Sequence, residues 1–383
     1  MPGTVLVLGG GMGGVTAARS LRKHLPSDHR VVLVDRDPVF TFAPSLPWVM
    51  TGERRPDRIL RDRQRLRRRG IEVVIGEAGG LDTDRRTVRV GKEDLRYDRL
   101  IIALGADLAP ESMPGFEAAA INVYTTDGAA EARRALHDFD GGRVAVIVSR
   151  LPYKCPAAPN ETAFLAEAIL RKRGVRDGSH VALYTPEPFP MPTAGPALGN
   201  ALASMLEARG IELHTQQTIE RIDPDRKQLV LGDGARADFD LLLGIPPHRA
   251  GDLAGDGGLA AQTGFIPVDR NTLATSADGV YAIGDVAQIA LDQGKFLPKA
   301  GVFAEAQAKV VARRIAGDLL GRGPEPMFDG KGSCFVEMGD GVTAFATGDF
   351  YAKGAPAVSL RRPGRRWHLA KVLFEQYWLR RWM

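Results

Sequence analysis

The stretch "TVLVLGGGMGGVTAARSLRKHL", residues 4–25, decides the fold. It reads as a short apolar strand, a glycine turn and a helix. Gly9, Gly11 and Gly14 fit the spacing G-x-G-x-x-G. Gly9 permits the tight turn, Gly11 lets a backbone approach a pyrophosphate, and Gly14 lets helix and strand pack closely. The helix N-terminus then offers free N–H groups and a positive dipole end to phosphate. A second apolar run, "RVVLVD", ends at Asp35, where an acid is placed to hold ribose hydroxyls. A purely structural glycine turn is the competing reading. Strand, turn, helix, strand and terminal acid in that order favour a dinucleotide.

Further along, "YDRLIIALGA" (97–106) is a strand running into Gly105, and "GVYAIGDVAQ" (279–288) is a strand running into Gly284 and Asp285. Between them lies a second strand–loop–helix unit. Its strand is "RVAVIV" (143–148) and its helix is predicted from about residue 160, capped by Asn160. The connecting loop has no glycine fingerprint. Pro152, Cys155, Pro156 and Pro159 stand there instead. Proline has no N–H to offer and adds a ring, so this loop is not built to cradle a pyrophosphate. By resemblance to the two-dinucleotide-binding-domain flavoproteins, whose NAD(P)H-using members carry a second glycine fingerprint here, this implies a second nucleotide-binding fold that has lost its nicotinamide site, with electrons entering from elsewhere and Cys155 as the candidate entry point.

With 383 residues, 44% hydrophobic and 25% charged, the chain has room for two domains of ordinary globular composition. Its two cysteines exclude a disulfide framework and no C-x-x-C pair suggests zinc. The N-terminus reads as a buried strand, not a signal peptide. No apolar run reaches the ~18 residues of a membrane-spanning helix.

The three glycine-ended strands in this order resemble the two-dinucleotide-binding-domain flavoproteins of the glutathione-reductase-like superfamily. Two further segments narrow the resemblance. "PYKCPAAPNE" (152–161) and "GSCFVEMGDG" (332–341) are similar to the redox-cysteine loops of sulfide:quinone oxidoreductases and of the flavocytochrome c sulfide dehydrogenase flavoprotein. The resemblance implies bound FAD, with Asp285 on its ribityl chain. It implies that Cys155 and Cys334 flank the flavin and form a disulfide or polysulfide bridge; two unrelated, inert thiols are the alternative. A sulfur nucleophile attacking such a bridge leaves a persulfide and a thiolate, and a lowered thiol pKa is expected to keep the sulfur nucleophilic. By the same resemblance Glu161 is a candidate proton acceptor; otherwise it is an acid favoured by the helix dipole. "FTFAPSLPWVMTGER" (40–54) matches a family segment beside the isoalloxazine through Pro44, Ser45, Pro47 and Trp48. Phe42 and Ala43 stand where the flavocytochrome subunit carries its attachment cysteine, so FAD is expected to be noncovalent. In "FLPKAGVF" (296–303), Lys299 is placed to stabilise the reduced flavin's negative charge; otherwise it is a solvated loop lysine.

The chain departs from many members of that family at two positions. Tyr124 occupies the expected place of a third cysteine, and Gly128 that of a histidine. Another low-molecular-weight thiol or sulfur species is therefore an alternative to sulfide.

Residues 53–70 contain nine arginines and read as an Arg-rich helix starting at Pro56, either solvated or facing an anionic surface. No motif or aromatic interleaving supports nucleic-acid binding. The C-terminal segment 361–383 carries basic flanks and three of the four tryptophans. On a helix, Trp367, Ala370, Leu373, Phe374, Tyr377 and Trp378 share one face, with Lys371 and Glu375 opposite. This suits a helix lying on an anionic membrane, where a quinone is within reach, or a helix docked on the body or on a second copy.

The expected fold is α/β, with two interleaved Rossmann-like domains. An FAD domain comprises 1–110 and 240–320, a degenerate second domain 111–239, and a C-terminal region with Cys334 the rest. The expected function is oxidation of sulfide or a related sulfur species through the cysteine pair, with electrons passed by FAD to a membrane quinone. A type II NADH:quinone oxidoreductase and an electron-transfer flavoprotein for a cytochrome partner are the alternatives. A peripheral membrane protein on the cytoplasmic side is expected, and homo-oligomerisation stays open.

Overall fold

The computed structural model describes residues 2–323 and 326–383. The opening unit forms as read: β1 (Thr4–Leu8), α1 (Met12–His24), β2 (Arg30–Asp35), then β3 (Glu72–Ile75) and β4 (Arg99–Ile102). The chain then builds a second sheet from β5 (Ile121–Asn122), α2 (Thr126–Asp138), β6 (Gly142–Val148), α3 (Ala158–Arg173), β7 (Ser179–Tyr184), α4 (Pro196–Glu207), β8 (Ile211–His214) and β9 (Leu241–Ile245). It returns to the first sheet with β10 (Val280–Ala282) and α5 (Gly301–Leu320), and ends in an antiparallel sheet of β11 (Lys331–Glu337), β12 (Thr343–Asp349) and β13 (Ala357–Gly364) followed by α6 (Arg365–Trp382).

The first sheet runs β10-β4-β1-β2-β3 and the second β5-β9-β6-β7-β8, each five-stranded, with every pairing parallel. Both central strands are apolar after their first residues because helices or loops cover both faces: Val5, Leu6, Val7 and Leu8 in β1, and Val144 to Val148 in β6, are buried. The second sheet extends beyond residue 239, since β9 pairs in register with β6. Close backbone approach dictates the glycines of the first turn. A Cβ on Gly14 would lie 1.7 Å from the Gly9 carbonyl oxygen. The same device recurs at Gly128, where a Cβ would lie 1.9 Å from the Asn122 carbonyl oxygen. This crossing leaves no room for the histidine expected there from family resemblance.

Four local readings are corrected. Residues 56–69 form two 3-10 turns around a short strand, Leu60–Asp62, rather than an α-helix. Strand pairing of Phe40 with Arg61 and burial of Arg63 against backbone carbonyls fix this irregular path. Helix α3 starts at Ala158, so Asn160 lies inside its first turn and caps nothing. Cys334 sits within β11, opposite Ala346, instead of in a loop. The fourth correction concerns α6. Its packed face is Lys371, Glu375, Trp378, Leu379 and Trp382, while Leu369, Leu373 and Tyr377 are 58–60% exposed. Trp378 stacks on Phe40 with centroids 5.0 Å apart, and the two charges dock because buried partners await them.

Candidate active site

Two helix N-termini converge on the first sheet. Neither α1 nor α5 has a side-chain cap or an acidic residue in its first turn, so their leading N–H groups are free for an anionic or polar ligand. Beside them, Gly11 and Gly105 have open space where a Cβ would stand. Asp35 closes the turn: its carboxylate accepts from the Gly10 N–H and the Asp37 N–H, and pairs with the buried Arg63 at 3.4 Å. Gly284 takes a positive φ and donates its N–H to Gln307. Next to it Asp285 is enclosed, and its Oδ1 has no hydrogen-bond partner among the described residues. Burial holds its pKa up against the pull of Lys154 and Lys299. An orphaned buried carboxylate oxygen is costly, and a flavin's ribityl hydroxyls are chemically suited to it. These residues fit a flavin group, with an open glycine turn at one end and an unpartnered buried carboxylate oxygen on Asp285.

Lys299 stands at the α5 entrance. Its Nζ donates to the Asp285 carbonyl and lies 3.5 Å above the Phe265 ring. Burial lowers its pKa to about 8. Of the segment expected beside the isoalloxazine, Pro44 is half-buried, whereas Ser45 and Trp48 turn their side chains toward α6. The Ser45 hydroxyl donates to Glu375 at 2.8 Å, and Lys371 sits over the Trp48 ring at 5.0 Å.

The Cys155 loop occupies the place of the second glycine turn. Cys155 has φ 55°, and its N–H donates to the Lys299 carbonyl at 2.7 Å, tying the two domains together at this point. Tyr124 stands against the loop, its hydroxyl donating to the Lys154 carbonyl at 2.6 Å. The position expected for a third cysteine is thus a structural support. Cys155 and Cys334 are both free thiols. Burial pushes Cys155 up to about 12, Glu161 adds to this, and Lys371 opposes it. Burial also raises Cys334 well above its ordinary value, with the neighbouring Cys155 as the next cause. The lowered thiol pKa expected from the sequence is therefore corrected: enclosure outweighs the pull of Lys371.

Behind Cys155 lies an ionic cluster that sequence reading missed. Lys371 Nζ is 3.2 Å from Glu161 Oε1 and 3.5 Å from Glu337 Oε1, with all three side chains no more than 5% exposed. Glu161 also accepts the Glu337 N–H at 2.9 Å, and His368 lies 3.2 Å from Glu337 Oε2. The sequence carried a signal for this, a charge pair inside a tryptophan-rich helix, but periodicity assigned it to solvent. Burial raises the Glu161 carboxyl, and Lys371 restrains the rise.

In front of the thiols an apolar cavity of about 420 Å³ is bounded by Pro152, Tyr153 and Pro156, by Lys299 and Phe303, and by Cys334. Cys155 itself does not line it. Glu187, also missed by the sequence reading, lines the cavity.

The pyridine nucleotide-disulphide oxidoreductase family model matches residues 3–308. The mitochondrial sulfide:quinone oxidoreductase of Mus musculus is 25% identical over 91% of this chain and 78% of its own length. The sulfide-quinone reductase of Aquifex aeolicus is 25% identical over 98% of this chain and 90% of its own. The crystal structure of the Aquifex aeolicus sulfide:quinone oxidoreductase superimposes with a TM-score of 0.88 at 22% identity, covering 99% of this chain and 91% of that one. With its paired parallel sheets and its glycine turn, the chain belongs to the pyridine nucleotide-disulphide oxidoreductase family, and it is similar over nearly its full length to the sulfide:quinone oxidoreductases.

Proposed function

We propose that this flavin-dependent oxidoreductase oxidises sulfide, or a small sulfur species like it, through Cys155 and Cys334, and passes two electrons by noncovalent FAD to a membrane quinone. The observation that carries this reading is the replacement of the second nucleotide turn by the Cys155 loop, fronted by an apolar cavity that reaches Cys334. A bound flavin supplies two-electron acceptor chemistry there. Gly9, Gly11, Gly14, Asp35, Gly105, Gly284 and Asp285 hold it, with Pro44 at its edge. Lys299, cationic below about pH 8, offsets negative charge gathering beside it. Glu161 exchanges the proton of Cys155 and is kept in place by Lys371. The same loop disfavours an NADH-oxidising reading, since Pro152 and Pro156 donate no backbone N–H to a pyrophosphate.

The test is steady-state reduction of decylubiquinone by purified protein with sodium sulfide as the only donor. Sulfide-dependent turnover is expected; a flavin-replete protein that reduces no quinone with sulfide overturns the reading. Because Phe42 and Ala43 replace an attachment cysteine, acid precipitation should leave all flavin in the supernatant. Flavin retained in the pellet contradicts noncovalent binding.

The outer face of α6 supports access to a membrane quinone. Leu369, Leu373 and Tyr377 form an exposed stripe at i, i+4 and i+8, bordered by the exposed Arg362, Arg366 and Arg380. No helix among the described residues is long and apolar enough to cross a membrane. The stripe instead suits a helix lying in the interface of an anionic bilayer. L373E/Y377E should weaken binding to phosphatidylserine-containing liposomes at least about tenfold, since burying each such side chain contributes roughly 1.5 kcal/mol or more. Equal retention of both proteins shows that the stripe does not meet lipid.

A further inference from the structure

The cavity in front of Cys334 lies where a doubly wound sheet ordinarily binds its ligand, beyond the carboxyl ends of its central strands. Leu151 to Tyr153 follow β6 directly, and Glu187 to Leu198 follow β7. In the first domain, Asp35 ends β2, the strand beside the glycine turn, and its carboxylate accepts a backbone N–H of that turn. In the second, Glu187 follows β7, the strand beside the Cys155 loop, and its carboxylate accepts a side-chain O–H of that loop. An acid again stands beyond the carboxyl end of the strand, but its partner is the phenol of Tyr153, 2.9 Å from Glu187 Oε2, two residues before Cys155. Thr185 Oγ1 makes a longer contact to the same oxygen at 3.4 Å. Glu187 Oε1 takes no hydrogen bond among the described residues, and Glu187 belongs to the cavity wall.

A buried carboxylate with one free oxygen on an apolar wall that also holds a thiol has little use for a dinucleotide. It is placed for a proton. We propose that Glu187 accepts the proton released by a hydrogen sulfide or small thiol molecule, H–S–R, in this cavity, with Tyr153 as its positioning residue. This rests on the sulfur-oxidising reading above. The S–H bond breaks, the O–H bond forms on Glu187, and the electron pair stays on sulfur, which becomes the nucleophile. Nothing is oxidised in this step. An apolar wall admits the neutral, protonated form of such a molecule more readily than its anion. Glu187 thus supplies at the thiol what entry through the apolar wall withholds.

The other charged or titratable groups around the site are Lys295 and Lys299 on the facing segment, Cys334 on β11, and Tyr124 and Cys155 behind Tyr153. Burial raises Glu187 to about 7, while the bonds from Tyr153 and Thr185 hold it lower than burial alone does. The carboxylate form is therefore present above about pH 7 and lost below it.

The experiment compares flavin reduction by sodium sulfide in wild type and E187Q across the neutral range. The ratio of the two rates cancels the ionisation of sulfide itself. It should be near one in acid and rise to on the order of 10²-fold above neutrality. Y153F removes the donor to the carboxylate, so its rise should move to higher pH; a merely structural tyrosine moves no midpoint. Infrared difference spectra read Glu187 without turnover: a protonated-carboxyl band should titrate near neutrality in wild type and be missing in E187Q. A wild-type flavin reduced by sulfide with a flat rate ratio, or with no such band, overturns the role of Glu187 alone. A wild-type flavin that sulfide does not reduce at any pH overturns the sulfur-oxidising reading and this role together.

Discussion

Cys155→Ser is expected to slow the reduction of bound flavin by sulfide at least about 10³-fold, and Cys334→Ser to do the same, with the double variant no slower than either single one. In the proposed relay the two sulfurs act together, so losing half of it is as damaging as losing both. Their positions support the pairing. Cys334 faces the cavity from β11, and Cys155, which does not line it, is close enough to raise the Cys334 thiol electrostatically. Flavin content should not change, because neither residue belongs to the glycine turn or to the Asp285 corner. Both thiols are held up by burial, so the reduced pair is protonated at neutral pH. Stopped-flow absorbance after mixing with sulfide checks this. A wild-type rate in Cys155→Ser shows that the cysteine is structural.

Lys371→Met is expected to destabilise the fold by about 3–5 kcal/mol, because it leaves Glu161 and Glu337 buried without their shared cation. The loss is read as a lower urea midpoint with the slope unchanged. Adding Glu161→Gln in the same chain should recover part of it, since the remaining penalty comes from the uncompensated carboxylate; full additivity of the two losses shows that the groups do not interact. A second readout separates this from packing alone. Lys371 lowers the Cys155 pKa, so the variant's thiol should be harder still to ionise and should react more slowly with iodoacetamide at a given pH. An unchanged alkylation rate means that α6 does not reach the thiol electrostatically. If the rate falls, the helix that presents Leu369, Leu373 and Tyr377 outward also sets the state of a thiol inside.

What the sequence made legible was local and periodic. Gly9, Gly11 and Gly14 with β1 and α1 announce themselves because strand, turn and helix are contiguous, and the loss of a glycine turn at Cys155 is visible for the same reason. What stayed hidden depends on long-range packing. Lys371 meets Glu161 across 210 positions of chain, and no spacing rule anticipates that a charge on a tryptophan-rich helix is buried. The 53–70 segment reads as a helix by composition, yet Arg63 is drawn inward by the carbonyls of Gly10 and Asp37 and by Asp35, which overrides its propensity. Glu187 is one acid in a proline-rich loop until the fold turns it toward Tyr153. The cysteine pair was read from resemblance, while its shared high-pKa setting required the enclosing walls to be seen.

How electrons enter is measured most directly by mixing the oxidised, flavin-replete protein anaerobically with sodium sulfide, and in a parallel experiment with NADH, while following the flavin absorbance. With a proline-bearing loop in place of a phosphate-binding turn and a cavity leading to Cys334, sulfide should bleach the flavin, decylubiquinone should then restore it, and NADH should leave the spectrum unchanged; rapid bleaching by NADH with no response to sulfide is the contradictory result.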